Sequence, residues 1–165
     1  MLVACGGGDK PPVEPPQNGY DATGLYYVKI SGEGEPIAYS VAKGTSTAAV
    51  LTIPALFQGY PVKVIAAEGF MDYAELTQIT IPTSIETIGL RAFLNCVSLE
   101  IVYVNRSATN GITKLETDTN DIAMGISVFT GCVWLDDIFV PENSVNAYRA
   151  DEDWSVYYGR IKARP

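Results

Sequence analysis

The stretch Leu76-Thr-Gln-Ile79-Thr-Ile81-Pro82-Thr-Ser-Ile85-Glu-Thr-Ile88-Gly89-Leu-Arg-Ala92-Phe93-Leu-Asn-Cys96-Val-Ser-Leu99 carries three patterns in a row. Leu76-x-x-Ile79-x-Ile81 alternates at period two, as a half-buried strand does. Pro82 then stops the strand, because proline cannot donate to a ladder. Ile85-x-x-Ile88-Gly89 reads as a second short extended piece ending in a turn. Arg91 to Cys96 reads as a short helical turn that drops Phe93 into a core.

The same spacing recurs on both sides. A shift of 23 maps Ile65 to Ile88, Phe70 to Phe93, Tyr73 to Cys96, Leu76 to Leu99, Ile79 to Val102 and Ile81 to Val104. A shift of 36 maps Phe93 to Phe129, Cys96 to Cys132, Leu99 to Leu135 and Val102 to Ile138. The difference implies an insertion of 13 residues between Asn105 and about Asp121. Upstream, Ile53-Pro54 precedes Ile81-Pro82 by 28, so five extra residues fall within 55–61. One unit of this size cannot bury its own apolar face, so stacking must supply the core.

The expected fold is α/β and β-rich: a short right-handed solenoid closed at both ends by caps. Residues 20–50 form the N-terminal cap, with Gly24–Ile30 and Pro36–Val41 as a β-hairpin across Ser31–Glu35. The repeats are 51–76, 77–99 and 100–135, the last holding the insertion 106–121. Residues 136–165 form a helical C-terminal cap. Ser144 to Arg149 is its helix, with Ser144 as N-cap, and Trp154, Tyr157 and Ile161 cover the last unit.

The pattern L-x-x-I-x-I-P, I-x-x-I-G, A-F-x-x-C-x-x-L resembles the BspA-type leucine-rich repeats of bacterial surface proteins. Phe139-Val-Pro-Glu-Asn-Ser-Val-Asn-Ala-Tyr148 is similar to the terminal module of that family. The first unit departs with Gly69-Phe70 and Tyr73, and the third has Asn105 in place of proline. The resemblance implies a cell-surface module that binds an extracellular or host protein, or a glycan, and brings no catalytic residues or cofactor. Fold alone does not fix function.

Composition sets the exclusions. The chain has 165 residues, 47% hydrophobic and 18% charged, a net charge of −8 and no histidine. It therefore lacks a Ser-His-Asp or Cys-His nucleophile and any His-ligated zinc. An acidic chain without a basic stripe is a poor fit to nucleic acid. No apolar run reaches the roughly 18 residues of a spanning helix.

Residues 1–19 read as an anchor and tether. Leu2-Val3-Ala4-Cys5 resembles a bacterial lipobox, with Cys5 the residue lipidated, and three glycines and four prolines follow by Pro16. Glycine gives flexibility and proline stiff extension. The implied location is the cell surface, as an outer-membrane or cell-envelope lipoprotein, with acyl chains adding about 0.8 kcal/mol per buried methylene.

Candidate binding residues lie on the outer face of the main strand column. With Ile79 and Ile81 inward, Gln78 and Thr80 point outward, followed by Ile101 and Tyr103, then Asp137 and Phe139. Tyrosine and phenylalanine are common interface anchors. The alternatives are cross-strand packing of neighbouring aromatics, or cover by the insertion. Glu116-x-Asp118-x-Asn120 has the oxygen spacing of a calcium loop, yet lacks its glycine and has Ser127 for the closing glutamate. A solvated loop is the favoured reading, and the insertion is a second binding candidate.

Cys96 and Cys132 fall in one column and read as buried reduced thiols. Asp136/Asp137 and Asp151/Asp153 are the acid pairs a carboxylate-dependent hydrolase would need, but surface solubility explains them more simply. A structural or assembly component without a ligand site of its own is the main alternative to a binding module.

Overall fold

The computed structural model describes residues 17–31, 35–118, 120 and 127–165. Cys5 and most of the expected tether lie outside these residues.

The first elements among the described residues are β1 (Gly19–Tyr20), β2 (Tyr26–Lys29) and β3 (Tyr39–Ala42). β2 and β3 pair antiparallel, with Tyr27 opposite Val41. β4 (Val50–Thr52), β5 (Leu56–Phe57), β6 (Tyr60–Ile65), β7 (Gln78–Ile81), β8 (Thr87–Ile88) and β9 (Ile101–Val104) follow. The last elements are β10 (Lys114–Leu115), β11 (Asp137–Val140), α1 (Val145–Ala150) and β12 (Ile161–Ala163). The fold is mixed α/β and strand-rich, with two sheets.

One sheet has the order β1-β2-β3-β6-β8-β10, with β5 pairing β6 off that path. The other is parallel throughout, in the order β12-β11-β9-β7-β4. Its register follows the sequence repeat: Ile79 opposes Val102, which opposes Ile138, which opposes Ile161. Parallel strands need long connections between them, and each repeat unit supplies one through the other sheet.

Alternation is strict on β7, β9 and β11. Ile79, Ile81, Val102, Val104, Ile138 and Val140 are fully buried, while their neighbours are half-buried. Where the third unit lacks proline, the Asn105 N–H donates to the Ile81 carbonyl at 3.0 Å, a bond that proline cannot form.

Arg91 to Cys96 does not form the expected helical turn. Arg91 and Asn95 take left-handed φ values of 52° and 59°, which break the helical path. Their bends let Phe93 and Asn95 donate to the carbonyls of Val128 and Thr130 in the next unit. In the unit before, Glu68 (φ 55°) and Asp72 (φ 57°) repeat the same bends. A helix would have spent these N–H groups internally; the bends direct them between units instead.

Phe93 is nevertheless buried at the centre of an aromatic column. Phe70, Phe93 and Phe129 stack at 5.3 and 5.2 Å between centroids. Each such pair adds about 0.5–1.5 kcal/mol beyond area burial. Trp154 and Tyr157 meet Phe129 at the end of the column, and both are buried as expected.

Two further expectations change. The segment 106–121 is not loop throughout: Lys114–Leu115 pairs in parallel with Thr87–Ile88 as β10. Ile112-x-x-Leu115 thus occupies the place that Ile85-x-x-Ile88 holds one unit earlier. Ser144 precedes α1 but makes no side-chain capping bond to it. Its hydroxyl is buried and accepts from the Ala108 N–H at 2.9 Å, tying the C-terminal segment to the third unit.

Candidate functional site

The five-stranded sheet places its outward side chains in rows. Val50, Gln78, Ile101 and Asp137 form one row, and Thr52, Thr80, Tyr103, Phe139 and Lys162 the next. All six expected face residues, Gln78, Thr80, Ile101, Tyr103, Asp137 and Phe139, are half-buried and share this face. Tyr103 and Phe139 stack across neighbouring strands, 5.2 Å apart and 23° from parallel. Cross-strand pairs of this kind stabilise a sheet by roughly 0.2–1 kcal/mol.

The far edge of the face is basic. Ile161 of β12 is buried, and Lys162 in the strand and Arg160 and Arg164 directly flanking it are exposed. Lys162 pairs with Asp137. Arg164 donates to Asn105 Oδ1 at 2.9 Å, and its guanidinium lies 5.4 Å from the Tyr103 ring centroid. These three cations escaped the sequence reading, although Arg160-x-Lys162-x-Arg164 has the period of a strand edge. Charged edges also deter pairing with other chains.

The described part of the insertion joins the other sheet. Lys114 and Glu116 donate through their backbone N–H groups to the carbonyls of Glu86 and Ile88. Arg106 reaches the carbonyls of Thr83, Asn110 and Gly111. Thr113 is buried and fully engaged: its N–H donates to Tyr148, its hydroxyl to the Ile85 carbonyl, and its carbonyl accepts from Trp154 Nε1. These bonds direct the described residues of the insertion away from Tyr103 and Phe139.

Glu116 and Asp118 have backbone partners in the described structure. The Glu116 carboxylate accepts from the Leu90 N–H at 3.3 Å, and Asp118 accepts from the Asn120 N–H at 2.8 Å. Asp118 and Asn120 border a hollow of about 290 Å³ with Glu68 and Arg91. Among the described residues no group of three or more Cys, Asp or Glu is placed to hold a metal.

Cys96 and Cys132 are free and buried. Their thiols donate to the carbonyls of Phe70 and Phe93, each one unit earlier. The neighbouring Cys96 and burial together push the Cys132 thiol well above its ordinary range. Such a thiol is a packing group, since reactivity requires the thiolate.

The acid pairs have other partners. Asp137 is held by Lys162. Asp151 accepts from the N–H groups of Asp153 and Trp154, closing the turn into the terminal aromatic cluster. Burial, then the charges of Asp151 and Glu152, raises the Asp153 carboxyl above its usual range.

A family model described as the BspA type leucine rich repeat region matches residues 57–150, in six copies. No curated protein matches the chain. Similar solved structures include a leucine-rich repeat protein from Bacteroides ovatus, at 21% identity and a TM-score of 0.48, covering 75% of this chain and 30% of that one. Another is a leucine rich cell surface protein from Faecalibacterium prausnitzii, at 20% identity and 0.48, covering 80% and 45%. A third is a leucine-rich repeat protein from Bacteroides capillosus, at 20% identity and 0.49, covering 76% and 99%. The chain spans less than half the length of the first two. No helix among the described residues is long and apolar enough to cross a membrane. The repeat period, the parallel register that follows it and the match over 57–150 place the chain in the BspA-type leucine-rich repeat family.

Proposed function

We propose that the chain is a non-enzymatic, cell-surface binding module: a short right-handed solenoid, capped by its hairpin and its helical terminus, that engages a protein or a glycan. The carrying observation is the Tyr103–Phe139 pair on the outer face, with Thr80, Gln78 and Ile101 beside it. Aromatic side chains give large contact area at low entropic cost, which suits them to recognition. Attachment through Cys5, on the pattern Leu2-Val3-Ala4-Cys5, presents this face outside the cell. The face is small, so several copies on one surface add avidity.

The reading of a scaffold without its own ligand site has one observation in its favour. The two rings already pack on each other and Arg164 lies over Tyr103, so the face is partly self-satisfied. A screen against matrix proteins and glycans, repeated with Tyr103→Ala and Phe139→Ala, separates the two. Loss of a bound ligand with an intact melting transition supports the binding module. Loss of folding alone, or no ligand for the wild-type protein, supports the scaffold.

A further inference from the structure

The sheet face ends in the chain's most concentrated positive charge. After Asp153 the sequence holds no acidic residue, and its three cations are Arg160, Lys162 and Arg164. All three are exposed: Lys162 lies in β12, and Arg160 and Arg164 flank it directly, although the whole chain carries −8. A basic edge on an acidic molecule creates a local field of opposite sign, which selects and steers anionic partners.

Geometry narrows the anion. The Arg160 carbonyl and the Arg164 N–H still bond to β11, through the Ile138 N–H and the Val140 carbonyl, and alternate residues of an extended chain lie about 6.7 Å apart, so the two arginines on either side of Lys162 are spaced about 13 Å along the edge. A sugar ring needs an open aromatic face. Here Tyr103 and Phe139 cover one another, and Arg164 lies 5.4 Å from the Tyr103 centroid. The rings therefore offer edges beside the cations, which fit apolar side chains of a peptide better than pyranose faces. Lys162 is partly neutralised by Asp137, so Arg160 and Arg164 carry most of the attraction.

From this we infer that the C-terminal side of the face binds an extended acidic segment of a protein partner, with carboxylates four residues apart meeting Arg160 and Arg164. The inference rests on the proposed role of the same face and names the chemistry of its ligand.

The test uses the full chain and a fluorescein-labelled peptide of alternating glutamate and threonine. The wild-type protein binds it, and binding falls as salt rises from about 0.1 to about 1 M, which shortens the screening length from about 10 to about 3 Å. Arg160→Glu combined with Arg164→Glu weakens binding about tenfold or more. Asp137→Asn, which releases Lys162, tightens it. Lys29→Glu makes a charge change elsewhere on the surface and leaves binding unchanged. Equal losses from Lys29→Glu and from the arginine reversals overturn the inference, because bulk charge then explains the binding. No binding by the wild-type protein, or stronger binding of polygalacturonate than of the peptide, also overturns it. A ligand lost in Tyr103→Ala but indifferent to the arginine reversals sinks this inference and leaves the binding face standing. Peptide binding lost on arginine reversal but unchanged in Tyr103→Ala and Phe139→Ala sinks the aromatic reading and keeps the basic edge.

Discussion

The thiol of Cys132 donates to the carbonyl oxygen of Phe93 at 3.1 Å, and so ties one repeat unit to the one before. Cys96 makes the same contact with Phe70 at 3.0 Å. Neither thiol is exposed, so native protein resists alkylation at both sites. Peptide mapping after iodoacetamide treatment should find Cys96 and Cys132 unlabelled in the folded chain and labelled after denaturation without reductant. Labelling that requires reductant would mean a disulfide. Cys132→Ala, which leaves a small cavity, should cost about 1–2 kcal/mol in a urea titration.

Gly89 lies where two units approach closely. A Cβ built there comes within 2.4 Å of the Ala67 backbone nitrogen, so Gly89→Ala forces the units apart. The same N–H groups that form the turn would shift with them, including the Gly89 N–H bond to Ile65 at 2.8 Å. Overpacking of this type costs about 2 kcal/mol. A matched melting-temperature comparison with wild type checks it; an unchanged transition would show that the contact relaxes freely.

Asp21 organises the turn into β2. Burial alone raises its carboxyl, but hydrogen bonds from Thr23, Tyr27 and Leu25 outweigh this and hold it below its ordinary value of 3.8. A carboxyl depressed in the folded state contributes stability that is present above the unfolded value and lost as pH falls through the folded one. Denaturant midpoints measured from pH 6 down to pH 2 should fall in this acid window, and Asp21→Asn should flatten part of that fall. The substitution should also cost about 2 kcal/mol near neutrality, from the lost charge-assisted bonds.

The repeat was legible because its period is a packing constraint. Ile79, Val102 and Ile138 oppose one another in register, and any slip would turn a strand's apolar set to solvent. β10 was not legible for the converse reason. Ile112 follows Ile85 by 27 rather than 23 residues, and polar neighbours from Asn110 to Asp118 mask its two apolar positions. The bends at Arg91 and Asn95 were missed because neither residue type requires a left-handed φ; only Gly131, in the equivalent place after Asn95, hints at it. Ser144 has the composition of a helix N-cap, and burial against Ala108 claimed its hydroxyl instead. On the face, alternation placed Tyr103 and Phe139 correctly, whereas the basic edge needed the knowledge that β12 joins this sheet.

Tyr148 joins the terminal segment to β10, and its removal should be felt at a distance in sequence. Its hydroxyl accepts from the Thr113 N–H at 3.1 Å and donates to the Arg106 carbonyl at 2.8 Å. Tyr148→Phe keeps the ring, its edge-on contact with Trp154 at 5.2 Å and the buried area. It strands the buried Thr113 N–H, which costs about 1–3 kcal/mol. Because Trp154 Nε1 still holds the Thr113 carbonyl at 2.7 Å, the strand itself should persist while its protection falls. Hydrogen exchange should therefore accelerate at Thr113 and Lys114 more than at Ile79 or Val102. Uniform acceleration over all four would show that the unit opens only with the whole fold, and would remove the local role given to Tyr148.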